Sequence, residues 1–119
     1  MANKRETGRR YEELAAAYLE EKGYGIRESN YRNRSGEIDL LAEKEGRIIA
    51  CEVKYRSTER CGDPAEAVDM RKQRKISRTL MCYLVQHGYP ADTPCRFDVI
   101  AVYGDGTVHH IKNAFEFRT

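Results

Sequence analysis

The stretch Gly36–Lys54, GEIDLLAEKEGRIIACEVK, contains two runs that read as buried β-strand, yet an Asp, a Glu and a Lys sit within them. Taking an unpaired ion out of water costs several kcal/mol, on the order given by measured desolvation penalties, so such residues are rarely buried without a partner. Asp39, Glu52 and Lys54 therefore either lie at a strand end or form a site. Between the runs, Glu43-Lys44-Glu45-Gly46 supplies turn chemistry, with Gly46 free to take a positive φ. The spacing predicts a hairpin of strands Glu37–Ala42 and Arg47–Lys54. A turn about Glu45-Gly46 sets Asp39 directly across from Glu52, and opposed residues project from one face. Glu37 and Lys54 share that face by the two-residue period. Ile38, Leu40, Ala42, Ile49, Cys51 and Val53 then form an apolar reverse face for a helix to cover.

Two carboxylates at cross-strand distance repel unless a proton or a cation lies between them. A divalent ion is the natural partner, and Mg²⁺ takes hard oxygen ligands from one or two carboxylates together with waters and a substrate phosphate. Asp39 and Glu52 are the candidate ligands. Lys54 is placed to donate to a phosphate oxygen or to orient an attacking water. These parts suit metal-assisted phosphodiester hydrolysis. No Ser-His or Cys-His pair is comparably placed. The competing reading of the same residues is a solvated strand face carrying cross-strand ion pairs.

Outward from the hairpin, Leu14, Ala15, Tyr18 and Leu19 recur at helical spacing within Thr7–Lys22, and Gly23 provides a stop. Tyr24–Tyr31 reads as a half-exposed or edge strand, followed by the turn Asn33-Arg34-Ser35-Gly36. Asp63-Pro64-Ala65-Glu66 has the pattern of a helix start, and Asp69 is a second cap for a helix with the stripe Ile76, Leu80, Tyr83 and Leu84, ending near Gly88. Arg96–Tyr103 has the continuous apolar character of a central strand, and Thr107–Lys112 forms a short last one. The order is αβββαββ, an α/β fold.

The 119 residues, 40% hydrophobic and 34% charged, describe one soluble globular domain over residues 1–119. No secretory signal or membrane-spanning run is expected, and the cytoplasm is the expected compartment. Cys51, Cys61, Cys82 and Cys95 stand singly with no CxxC pair, as reduced thiols do. A net charge of +2 does not establish nucleic-acid binding, but the placement of the cations says more. Lys4, Arg5, Arg9 and Arg10 precede the first helix, Arg56 and Arg60 follow the EVK segment, and Arg71, Lys72, Arg74, Lys75 and Arg78 crowd one helical region. Arg9, Arg10, Arg56, Lys72 and Lys75 are the candidate phosphate contacts.

GRRYEELAAAYLEEKGY, NYRNRSGEIDLLA, EVKYRS, CGDPAEAVDMRKQRKI, RFDVIAVY and HHIKNAF resemble, in that order and over nearly the whole chain, the YraN-like family of small bacterial proteins. That family in turn resembles the restriction-endonuclease-like PD-(D/E)xK nucleases, and among them the archaeal Holliday-junction resolvases. The resemblance implies an αβββαβ core with a mixed central sheet flanked by helices, and a Mg²⁺-dependent or Mn²⁺-dependent endonuclease acting on DNA, including branched DNA. It makes Asp39 the acidic residue of the second strand, Glu52 and Lys54 the ExK pair, and Glu12 the further acidic residue that completes a metal site. Gln73 matches a position near phosphate or the site, and resolvase-like proteins commonly work as dimers, so the implied assembly is a homodimer. Glu37 serves either as a structural partner of Lys54 or as a ligand, and Asp98 as an ion-pair partner of an Arg. Tyr11 departs from the family pattern, which has Gly there, and so do Cys51 and Cys61. A non-catalytic nucleic-acid-binding or assembly protein on the same fold is the alternative, since fold alone does not carry activity.

Overall fold

The computed structural model describes residues 4–56 and 68–118, with side chains from residue 8 onward. The expected helix start at 63–66, Arg60 and Cys61 fall outside these residues. The described elements are α1 (Lys4–Glu21), β1 (Gly25–Asn33), β2 (Gly36–Lys44), β3 (Arg47–Arg56), α2 (Met70–Gln86), β4 (Cys95–Tyr103) and β5 (Val108–Phe115). They follow the expected αβββαββ order. The basic residues Lys4, Arg5, Arg9 and Arg10 lie within α1 and not ahead of it.

The five strands form one sheet in chain order, antiparallel throughout except for the parallel pair β3 and β4. A parallel pair needs a long crossover, and the segment containing α2 supplies it. The two helices cover opposite faces. Ala15 and Leu19 of α1 pack with Leu40, Ala42, Ile49, Cys51, Ile100 and Val102. Ile76, Leu80, Tyr83 and Leu84 of α2 pack with Leu41, Ile48, Ala50, Phe97 and Val99. The central strands are thus apolar on both faces, as a sheet sandwiched between helices requires. Leu14, expected on the buried stripe of α1, is instead 41% exposed, because the buried arc runs through Ala15 and Leu19.

Helix ends are set locally. Gly23, at φ +91°, lets Tyr24 N–H reach Leu19 C=O and Gly23 N–H reach Glu20 C=O, the pattern that closes α1. Asp69 Oδ1 accepts from Lys72 N–H at 2.9 Å and starts α2. At the opposite end of β4 from the α2 start, Asp98 is fully buried. It accepts from Arg96 Nε and Nη2 at 2.8 and 2.7 Å and from Asn113 N–H at 3.0 Å, and lies 2.7 Å from His110 Nε2. The expected pairing of Asp98 with an Arg is therefore met by Arg96. Cys51, Cys82 and Cys95 are free thiols.

Candidate active site

The β2/β3 register is the one a turn about Glu45-Gly46 dictates. Both turn residues have positive φ, +52° and +79°, the geometry of a two-residue hairpin loop, and Lys44 pairs with Arg47, Ala42 with Ile49 and Leu40 with Cys51. The ladder stops there. At the next position the Asp39 carboxylate leaves the rung and accepts Val53 N–H at Oδ2, 2.8 Å away. A side-chain oxygen thus takes the amide that the next backbone rung would use, and the end of β2 splays from β3. One consequence corrects the predicted facing. Ile38 packs with Leu41 in the α2 cluster, not with Leu40 and Ala42, because alternation breaks at Asp39.

Glu52 lies across from this wedge and is only 7% exposed. Its Oε1 receives two amines, Lys72 Nζ at 2.5 Å and Lys54 Nζ at 3.3 Å. Sequence placed Lys72 among phosphate contacts and missed its place beside the carboxylates. A signal was present: the first turn of α2 carries Arg71 and Lys72 and no acidic residue. The positive end of a helix dipole disfavours cations there, so they imply a negative partner nearby. Glu37, on the other hand, pairs with Arg32 at 3.3 Å and not with Lys54.

The electrostatics follow from burial and proximity. Burial, then the charge of Glu52, pushes the Asp39 carboxyl up to about 7, against the lowering effect of the Val53 N–H. Glu12, reaching in from α1, is raised first by burial and then by Glu37 and Glu52, while a hydrogen bond from Asn30 opposes this. Asn30 sits at φ +54° in β1, a kink that turns its side chain toward α1 and that the sequence alone did not single out. Lys54 is lowered by burial and by its neighbour Lys72. For Lys72 burial acts downward as well, but its hydrogen bonds to Glu52 and Lys54 and the charges of Glu52 and Asp39 outweigh it and hold it above the usual lysine value.

Asp39, Glu52, Lys54, Glu12 and Lys72 thus influence one another across β2, β3, α1 and α2. Arg9 and Arg10 are exposed on α1, and Lys75 is exposed on α2. Gln73 is committed elsewhere: Nε2 donates to Val68 C=O at 2.9 Å, and Oε1 accepts from Arg118 Nε at 3.2 Å. Its amide therefore ties the start of α2 to the last residues. A cleft of about 460 Å³ opens beside the cluster, lined by Arg32, Glu37, Lys72 and Lys75 among others. Among the described residues no helix is long and apolar enough to cross a membrane.

Fold and site together define an α/β domain with a carboxylate and lysine cluster at the splayed end of a central hairpin. The chain belongs to the uncharacterised protein family UPF0102, which matches residues 11–102. It is 45% identical to a UPF0102 protein of Lachnoclostridium phytofermentans, with 96% of each chain covered. It is 44% identical to one of Chlorobium chlorochromatii, covering 92% of this chain and 91% of the relative. A third, from Myxococcus xanthus, is 40% identical over 97% of this chain and 93% of its own.

Proposed function

We propose that this protein is an endonuclease that hydrolyses phosphodiester bonds in DNA with Mg²⁺ or Mn²⁺. Asp39 and Glu52 are the carboxylate ligands, Glu12 a further acidic group reaching toward them from α1, and Lys54 the cation beside the reacting phosphate. The observation that carries this reading is the pair of carboxylates at the splayed strand end, Glu52 buried and Asp39 half-buried, with Asp39 raised to about 7 by desolvation and by the charge of Glu52. Like charges held together in this way are relieved by a cation.

The donor set fits the ion. Among the described residues no three His, Cys, Asp or Glu side chains gather closely enough to enclose a metal by themselves. Mg²⁺ suits such a partial shell, since it keeps waters and completes its coordination with substrate phosphate. When bound, the ion supplies Lewis-acid polarisation of the phosphoryl oxygen. The chain's own residues do the rest. The Val53 N–H fixes the Asp39 carboxylate, and Glu52 orients Lys54, whose ammonium donates to a non-bridging oxygen as negative charge builds there. Lys72 and Lys75 line the adjoining cleft with Arg32 and hold the strand's phosphates, while the exposed Arg9 and Arg10 of α1 and the half-buried Arg56 of β3 add further basic groups.

The test is cleavage of branched, single-stranded and duplex DNA by purified protein with Mg²⁺ or Mn²⁺. Wild type should cut, and Asp39→Asn and Lys54→Ala should lose cutting while still binding DNA. Absence of cutting by wild type, or full cutting by Asp39→Asn, overturns the proposal. One observation favours a second reading, that of a nucleic-acid-binding protein without chemistry: Lys72 and Lys54 already neutralise Glu52 from within the chain. Salt-dependent DNA binding with no turnover and no calorimetric Mn²⁺ binding is its signature.

A further inference from the structure

Tyr11 of α1 and Tyr55 of β3 stack, with ring centroids 4.2 Å apart and planes 16° from parallel. Tyr55 is nevertheless 43% exposed. One ring face lies on Tyr11, which leaves the other to solvent. Val53 packs with the α1 cluster, and Tyr55, two residues on, shares its side of the strand. Glu52 and Lys54 face the α2 side, where Lys72 meets Glu52. The end of β3 therefore presents an open aromatic face on one side and the Lys54 amine with the Glu52 carboxylate on the other.

The surroundings are cationic. Arg10 neighbours Tyr11 closely enough for its charge to act on the phenol, while Arg56, two residues beyond Lys54, falls on the Lys54 side of the strand. A flat aromatic ring near an arginine on one side and a lysine at the strand end on the other is what a nucleotide strand needs, because the ring takes the base and the cations take the backbone. Tyr11 also restrains the Tyr55 ring, so that less conformational freedom is lost when a third ring joins the stack. In continuous duplex each base is already stacked between its neighbours and closed to such a contact.

We infer that the outer face of Tyr55, backed by Tyr11, is a stacking platform for an unpaired nucleobase of the strand whose phosphate lies at Lys54. This rests on the nucleic-acid reading above and deepens it: the substrate class becomes a strand with an unpaired base at the site, as in single strands, flaps and junctions.

Binding without metal separates the two readings. The full chain in EDTA at low salt is titrated into a short oligothymidylate carrying one central 2-aminopurine, and into the same probe annealed to its complement. Wild type should quench the single-strand fluorescence on binding. Tyr55→Ala should weaken binding by about tenfold, the size of one base–aromatic stack, and abolish the quench. Tyr55→Trp should keep both, and the duplex probe should not distinguish the variants. Tyr55→Leu retains apolar packing on Tyr11 and should behave as the alanine variant, which separates stacking from any loss of folding. If Tyr55→Ala and Tyr55→Leu bind and quench as wild type does, the platform is overturned while the carboxylate site stands. If wild type binds neither probe, both readings fall.

Discussion

Asp98→Ala removes the acceptor around which the far end of β4 is organised. In the native chain that carboxylate is fully buried and accepts two hydrogen bonds from Arg96 and one from Asn113 N–H, with His110 Nε2 2.7 Å away. Alanine leaves a mostly buried guanidinium, a buried imidazole and a backbone amide without that partner. Breaking a buried ion pair from one side costs about 3–5 kcal/mol. Arg96 keeps Tyr24 Oη as a partner at 2.8 Å and some access to water, which places the expected loss toward the lower end, about 3–4 kcal/mol. A chain of 119 residues has a total stability of about 6–18 kcal/mol. The variant should still fold, with a urea midpoint lowered by about 2 M at an unchanged slope of about 2 kcal/mol/M. A midpoint shift below about 0.3 M would show that the network contributes no more than a surface contact does.

The same residue sets an acid limit. Burial alone would raise the Asp98 carboxyl, but the hydrogen bonds of His110, Arg96 and Asn113 and the charge of Arg96 outweigh it and hold it below the usual carboxylate value. A depressed folded-state value means that the unfolded chain binds the proton first. The stabilisation is therefore complete above about pH 4 and is lost as pH falls through the folded value. Acid titration of wild type should show this loss, and Asp98→Ala should lack that component.

At Asp39 the sign reverses. With its carboxyl raised to about 7, the native state binds the proton more tightly than the unfolded chain does, so stability falls as pH rises from about 4 to 7 and then levels. Asp39→Asn keeps an acceptor for Val53 N–H and should melt a few degrees higher than wild type at pH 8 in EDTA, with little difference near pH 4; equal melting at both would remove the like-charge account. Leu80→Ala, at a fully buried position of α2, should cost about 2–5 kcal/mol by urea unfolding. A loss under about 1 kcal/mol would mean that α2 packs less tightly on the sheet than described. Lys72→Met should weaken DNA binding similarly for all sequences and reduce the slope of log affinity against log salt by about one. An unchanged slope would exclude Lys72 from the phosphate-facing surface.

Local chemistry made most of the fold legible. The Glu45-Gly46 turn fixes the hairpin register, the Asp69 cap and the stripe through Ile76, Leu80, Tyr83 and Leu84 fix α2, and Gly23 ends α1. Each is an interaction between residues a few positions apart, or a periodicity that one element imposes on its own side chains. That is enough to name Asp39, Glu52 and Lys54 as neighbours. It is not enough to find Lys72 on Glu52, the splay that carries Ile38 to the α2 side, the closed amide of Gln73, or the Tyr11 and Tyr55 stack. Those depend on how α1 and α2 settle on opposite faces of the sheet. Packing between elements distant in sequence follows summed shape and burial over the whole core, which no short stretch contains. The sequence by itself determined the elements, their order and the acidic pair with its lysine; the tertiary structure alone decided which distant cations and rings meet that pair.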